Sequence, residues 1–333
     1  MIILTGTYPP ARCGVGDYVQ NLLNTTIGKK WTLFYRTSWK LNQLKTYISD
    51  LKKESDNIIN FQYPTVGYGT SIVPHLLVLY AVVRLHKRLY ITLHEYSQLG
   101  WKGKFAISIL FPFAHDIIFT TSFEMECAKR YNPWLRKGHV VKIRSNIPAD
   151  KTSKPINERK YDVGYFGYIR PQKGIEQFIS VAENLQKEGK QVYVMGQTQP
   201  EFEWYNKPIL KDLANKGIHY YGDKTAENVA QILSDTKIVY LPFPDGLSER
   251  RGSFLAAVVN GSAVISQVGK YTSQDQISNF TLIGSTMAKE YISDKLKDVD
   301  WLDEQQQHSI DYAIHCVPQT WQQIAEQYEK LIR

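Results

Sequence analysis

The chain has 333 residues, 43% apolar and 22% charged, and a formal net charge of +8. That length suits about two domains, and the composition excludes a disordered or low-complexity protein. Cys13, Cys127 and Cys316 are too few and too scattered for a disulfide framework or a zinc site, so a reducing cytoplasm is the expected compartment.

Met1-Ile2-Ile3-Leu4-Thr5 has no basic flank and no long apolar run, so it reads as a first strand and not as a secretory leader. Short apolar strands then alternate with amphipathic helices, the pattern of parallel sheets with crossover helices. Strands are expected at 2–6, 31–35, 57–61, 89–93, 116–120 and 139–143, with helices near 16–26, 41–53, 70–86, 104–113 and 123–131. Segment 144–160 is rich in Pro, Lys, Ser and Asn and lacks a period, so it reads as a linker or hinge. A second series starts at 161–167, with strands near 191–195, 218–221, 237–241 and 263–266. Its helices fall near 174–187, 208–216, 226–234 and 252–260, and two more close the chain at 303–315 and 319–332. The expected architecture is α/β: two doubly wound domains facing a cleft, residues 1–150 and 151–315, followed by a terminal segment, 316–333.

Two stretches are strongly apolar. Pro112, His115 and Asp116 interrupt 105–121, and Pro74, His75 and Arg84 interrupt 72–85. Each falls short of the roughly 20 uninterrupted residues of a spanning helix. They read as core helices, with surface insertion of an exposed apolar face as the alternative. Residues 1–157 hold 21 Lys/Arg against 9 Asp/Glu, and residues 158–333 hold 19 against 23. A basic first half suits an anionic membrane surface or a phosphorylated acceptor; chance asymmetry of solubilising charge is the plain alternative.

The most informative stretch is Pro242-Phe243-Pro244-Asp245-Gly246-Leu247-Ser248-Glu249-Arg250-Arg251-Gly252-Ser253. It joins the buried run Ile238–Leu241 to the apolar helix opened by Phe254, which places it at the carboxyl edge of a parallel sheet. Gly252 and Ser253 at a helix start, with two guanidinium forks, suit a phosphate. Glu249 can hydrogen-bond a polar group attached to that phosphate. A second basic turn, Gly167-Tyr168-Ile169-Arg170-Pro171-Gln172-Lys173-Gly174, sets Arg170 and Lys173 before another helix, where two cations attract a diphosphate. Gly196 follows a third strand and can border a nucleotide base. In the first half, Gly14 and Gly16 follow the first strand and allow close ligand approach, although Val19 breaks the dinucleotide fingerprint. His94 ends the fourth strand, where it can bond a sugar hydroxyl or move a proton; a satisfied structural histidine is the alternative.

In order and spacing these motifs resemble the retaining glycosyltransferases of GT-B architecture, in particular glycosyltransferase family 4, over essentially the whole chain. The resemblance implies two Rossmann-like domains, the first taking the acceptor and the second the nucleotide-sugar, with the last helix packing back on the first. It implies that Gly14 and Gly16 face the donor, that His94 touches the donor sugar, and that Arg170 and Lys173 neutralise the diphosphate leaving group without a metal. Gly167, Tyr168, Gly196, Arg250, Arg251, Gly252 and Ser253 would complete the donor site, with Glu249 facing the sugar. No metal site and no cofactor are expected beyond the donor itself, and Asp298 and Asp300 read as surface residues. Family members often carry two glutamates eight positions apart in the fourth loop and its helix. Here those positions are Ser248 and Ala256, which puts ribose recognition in doubt.

The implied reaction moves a sugar from a nucleotide diphosphate to a hydroxyl of a glycan or glycolipid, with retention, in surface polysaccharide biosynthesis. The expected location is cytoplasmic, with peripheral contact at the inner membrane face and no nucleic-acid partner. The rival readings are a nucleotide-sugar epimerase or phosphorylase of the same fold, an inactive nucleotide-sugar-binding protein, and a dehydrogenase.

Overall fold

The computed structural model describes residues 1–11, 13–150 and 154–332. Arg12 of the first glycine loop, residues 151–153 of the expected linker, and Arg333 lie outside the described residues. The chain forms two compact units, residues 1–143 with 318–333, and residues 144–317. The first junction therefore falls at 143/144, ahead of the expected 150/151. Hydrogen bonds explain the shift: the Asn260 side chain accepts from the Asp150 amide (2.8 Å) and donates to the Pro148 carbonyl (3.1 Å), and the Ser234 hydroxyl donates to Asp150 (2.7 Å). These bonds fasten 148–150 to the second unit.

The first unit holds a six-stranded parallel sheet: β1 (Ile2–Thr5), β2 (Thr32–Tyr35), β3 (Ile58–Tyr63), β4 (Arg88–Leu93), β5 (Ala114–Phe119) and β6 (His139–Val140), in the order β2-β1-β3-β4-β5-β6. Its helices are α1 (Gly14–Leu23), α2 (Leu44–Lys53), α3 (Val73–Leu85), α4 (Trp101–Ser108) and α5 (Ser122–Tyr131). Strand alternation sends Ile2, Leu4, Ile59, Phe61, Leu89 and Ile91 to one face, under α2 and α3, and Ile3, Tyr90 and Ile118 to the other. The last helix of the chain (Trp321–Ile332) covers that second face with Ile324, Ala325, Tyr328 and Ile332, a helical-period stripe packed beside Tyr18, Val19 and Leu22 of α1.

His75 of α3 is 8% exposed, edge-on to the Phe61 and Tyr63 rings. Neither ring nitrogen has a hydrogen-bond partner among the described residues. Burial lowers its pKa from 6.5 to about 4, because an imidazolium there would lose its hydration. The unfolded chain therefore binds this proton first. Its contribution to stability is complete above pH 6.5 and is lost as pH falls from 6.5 to about 4, a loss of roughly 3 kcal/mol. In thermal melts, the parent should lose ground against His75→Leu over that interval. A constant gap between the two would contradict this assignment.

The second unit repeats the plan with β7 (Tyr161–Phe166), β8 (Val192–Met195), β9 (His219–Tyr221), β10 (Thr236–Leu241), β11 (Ala263–Ser266) and β12 (Thr281–Leu282), all parallel, in the order β12-β11-β10-β7-β8-β9. Crossovers are α6 (Ile175–Lys187), α7 (Glu203–Asn215), α8 (Ala226–Ser234) and α9 (Gly252–Val259). Then follow α10 (Gln274–Asn279), α11 (Ala288–Lys295) and α12 (Val299–Cys316), and the terminal helix of the first unit is α13. Two expectations shift. Helix α7 begins five residues before Pro208, which lies inside it rather than in its first turn. Helix α12 begins at Val299, where the Asp298 carboxylate accepts from the Trp301 amide (3.1 Å) and pairs with Lys295 (2.6 Å). Among the described residues, no helix is long and apolar enough to cross a membrane.

Candidate functional site

Strand order reverses between β7 and β10, which pair directly. Loops leaving the carboxyl ends of such strands diverge and leave a crevice suited to a ligand. The two motifs richest in cations, Gly167–Gly174 and Pro242–Ser253, are these two loops.

Glycines bring the loops together. Gly174, at the N-terminus of α6, has φ +76°, and a Cβ on it would strike the Pro242 carbonyl. The start of α6 is thereby pressed against the loop after β10. Gly196, after β8, lies so close to the Gly167 carbonyl that any side chain would collide with it. Gly167 in turn faces Ser253, whose hydroxyl would lie 3.2 Å from an added Cβ. Gly167, Gly196 and Ser253 thus form one surface. Tyr168 is half-buried between them in sequence, and the Ile169 amide bonds the Gln197 carbonyl at 3.0 Å.

Among the described residues, neither helix at this edge is capped by the side chain of its N-cap residue: Gly174 precedes α6 and Arg251 precedes α9. Their first-turn amides retain donor capacity, and the partial positive charge of the helix end adds to it. Gly252 is exposed, with nothing within 4 Å of where a Cβ would stand, so an anion can approach the backbone there. Arg170 and Lys173 are half-buried on the neighbouring turn. The buried Tyr165 hydroxyl donates to the Lys173 carbonyl (3.1 Å), fixing the turn that carries both cations. Glu176, in the first turn of α6, accepts from the Tyr205 hydroxyl. Burial and then that carboxylate push the Tyr205 pKa upward.

The β10–α9 loop is held from inside. Arg251 pairs with Asp245, and its guanidinium lies 4.3 Å from the Phe243 ring centroid. The Leu247 amide bonds Gln267 (3.0 Å), and the Arg251 amide bonds the Ser248 carbonyl (3.0 Å). Arg250 lies over Tyr271, 5.4 Å from its centroid. Burial of the Tyr312 phenol raises its pKa, and the Glu249 carboxylate adds to the rise. Ser248 is buried, and Ala256 is 0% exposed inside α9. The second glutamate of the resemblance is thus replaced by a buried alanine.

In the first unit the order reverses between β1 and β3, and the glycine loop follows β1. Gly14 opens α1, is exposed, and has no described residue within 4 Å of where a Cβ would stand, whereas Gly16 packs against the Thr7 carbonyl (3.2 Å from an added Cβ). Gly16 thus seats α1 on the sheet, and Gly14 offers the approachable backbone. Asp17, in the same turn, has its pKa raised by burial.

His94 is buried at the end of β4, where the Gln62 side-chain oxygen meets its Nε2 at 2.8 Å. The Gln62 amide donates to the Asn60 side-chain oxygen, which also accepts from the Thr92 hydroxyl (3.2 Å). Thr92 lies 3.1 Å from the Tyr328 hydroxyl of α13, which accepts from Tyr18 (2.9 Å). Tyr18 packs edge-on against the His94 ring, 5.1 Å between centroids. Gln62 accepts from Nε2, so Nε2 carries the proton in the neutral ring. The sequence reading singled out His94 without Gln62, Asn60, Thr92, Tyr18 and Tyr328, the residues that surround it. A signal was present: Asn60 and Gln62 alternate within an apolar strand, as Thr92 and His94 do in the next, and both pairs lie on the face covered by α1 and α13.

Residues 146–284 match the family Glycosyl transferases group 1, which covers most of the second unit and both of its motif loops. No curated protein matches the chain. Among solved structures, sucrose-phosphate synthase from Thermosynechococcus elongatus superposes with a TM-score of 0.76 at 15% identity, covering 100% of this chain and 98% of that one. HepE of Anabaena, in complex with UDP and glucose, gives 0.72 at 12% identity, covering 99% and 98%. The lipopolysaccharide outer core galactosyltransferase WaaB gives 0.62 at 12%, covering 99% and 98%. The chain has the GT-B fold of two Rossmann-like units, and residues 146–284 of its second unit are similar to the glycosyl transferases group 1 family.

Proposed function

We propose that this chain, similar over residues 146–284 to the glycosyl transferases group 1 family, moves a sugar from a nucleoside diphosphate donor to a hydroxyl of a glycan or lipid-linked glycan. The observation that carries the reading is the β7/β10 reversal, where two uncapped helix N-termini meet the turn of Arg170 and Lys173. Its chemistry fits a diphosphate. HepE was crystallised with UDP and glucose, which makes UDP the first probe.

In the proposed step, the acceptor oxygen forms a bond to the anomeric carbon as the bond from that carbon to the phosphate oxygen breaks. The bonding pair leaves with the nucleoside diphosphate. The acceptor proton passes to the departing phosphate oxygen. Arg170, Lys173 and the amides of Gly252 and Ser253 stabilise the charge that develops there, and fixed dipoles and cations lower a barrier most where charge grows. That arrangement supplies the positive charge a metal would otherwise bring. Retention of anomeric configuration and a role in surface polysaccharide synthesis rest on the family resemblance. Glu249 is assigned to a sugar hydroxyl, Arg251 to holding the loop through Asp245, and Arg250 to the donor's edge. In the first unit, His94, held by Gln62, is assigned a hydrogen bond to a sugar hydroxyl.

A buried alanine at 256 favours a second reading, an inactive nucleotide-sugar-binding protein. Incubation with UDP-glucose and a panel of glycan acceptors separates the two. Acceptor-dependent release of UDP supports transfer. Binding with no release under any acceptor supports the second reading, and conversion of donor alone supports an epimerase.

A further inference from the structure

The outward side of α4 is apolar. Trp101, Phe105 and Ile109 follow at four-residue spacing, which aligns them along one side of a helix, and they are 75%, 66% and 48% exposed. Phe113, in the short turn that follows, is exposed as well. The opposite side carries the buried Ile107, and Leu110 and Phe111, just after the helix, are buried as well. Helix α4 is therefore apolar on both sides, and the described residues cover only one of them.

The surroundings are cationic. Segment 96–115 contains Lys102 and Lys104 and no acid, and segment 127–142 contains Lys129, Arg130, Arg136, Lys137 and Lys142 and no acid. The two segments are joined: Lys104 Nζ lies 4.0 Å from the Tyr131 ring centroid, and the Asn132 side chain donates to the Tyr96 hydroxyl (2.8 Å). Tyr131 and Trp134 are exposed beside them. Two of the neighbouring acids are engaged by protein groups. Asp116 pairs with His139 (2.8 Å), and the buried Glu124 accepts from Ser97 (2.7 Å). Glu95 and Glu126, both exposed, border the two segments in sequence.

We propose that this face docks on an anionic phospholipid bilayer, with α4 lying in the plane of the interface. Trp101, Phe105 and Ile109 enter the headgroup region, where indole and phenyl rings partition favourably. The flanking lysines and arginines lie over lipid phosphates, and each adds attraction that falls off within a Debye length. The combination selects the partner. A polyanion alone would pair the cations and leave Trp101 and Phe105 in water. An apolar protein surface would cover those rings and strip water from the cations. An anionic bilayer satisfies both sets.

The proposal deepens the reading of a lipid-linked acceptor but needs no transferase activity, so vesicle binding tests it separately. Full-length protein is mixed with phosphatidylcholine vesicles, with and without about thirty per cent phosphatidylglycerol, and floated. Binding is expected only to the anionic vesicles and is expected to weaken with salt. Trp101→Ser with Phe105→Ser should reduce it about tenfold, as should Lys129→Glu with Arg130→Glu. Trp204→Ser, an exposed tryptophan of the second unit, serves as a control and should bind as the parent does. No binding by the parent, or parent-like binding by the Trp101/Phe105 variant, would overturn the proposal, and a protein or polyanion partner would give the first of those results.

Discussion

Replacing Lys173 or Arg170 by alanine should lower turnover by about two to three orders of magnitude while the fold survives. Both side chains are half-buried on a turn whose backbone is fixed by Tyr165, so their truncation removes charge and little packing. Substitutions of this kind change stability by about 0.5 kcal/mol or less. The asymmetry follows from the reaction. Charge on the phosphate grows as the sugar departs, so a fixed cation is worth more in the transition state than in the bound ground state. The decline should therefore appear mainly in kcat, with a smaller change in KM. Single-turnover assays with saturating donor, set beside melting curves of the same variants, check this. Parent-like turnover in both variants would remove the diphosphate from this turn.

Gly174→Ala should act in the opposite manner, through the fold first. Residue 174 holds φ +76°, which a Cβ disfavours, and that Cβ would meet the Pro242 carbonyl. The backbone conformation alone costs about 1–2 kcal/mol, and relieving the collision must separate α6 from the β10 loop. A loss of about 3 kcal/mol or more is expected, with donor binding lost at temperatures where the unit still folds. Denaturant titration of the parent and the variant measures the loss. A variant as stable as the parent would mean that the two loops are not in contact at this point.

The strands were legible because buried parallel strands are short continuous apolar runs, as at Ile238–Leu241 and Leu89–Leu93. The cationic turns were legible because each directly follows such a run. Strand order was not. Nothing local to Tyr161–Phe166 or Thr236–Leu241 says that the two pair side by side, and that adjacency is what turns two separate basic turns into one edge. The Arg251–Asp245 pair is likewise set by the turn between them, and it gives Arg251 a loop-holding contact that the sequence reading did not see. The Gln62–His94 bond joins residues 32 apart in sequence and depends on the β3–β4 register. Residues 267–298 escaped because their elements are short and polar, although Ser273 and Gln276 form a capping box at the start of α10, a signature open to reading. Pro208 misplaced the start of α7 because proline favours a first helical turn, and here it sits in the interior.

The central claim is that the β7/β10 edge of the second unit binds a nucleoside diphosphate. Titration calorimetry of the full chain with UDP, run beside the variant carrying Arg170→Ala and Lys173→Ala, tests it most directly. The account predicts saturable one-site binding by the parent, a matching rise in melting temperature, and at least about tenfold weaker binding by the variant. Equal UDP affinity in parent and variant would contradict it.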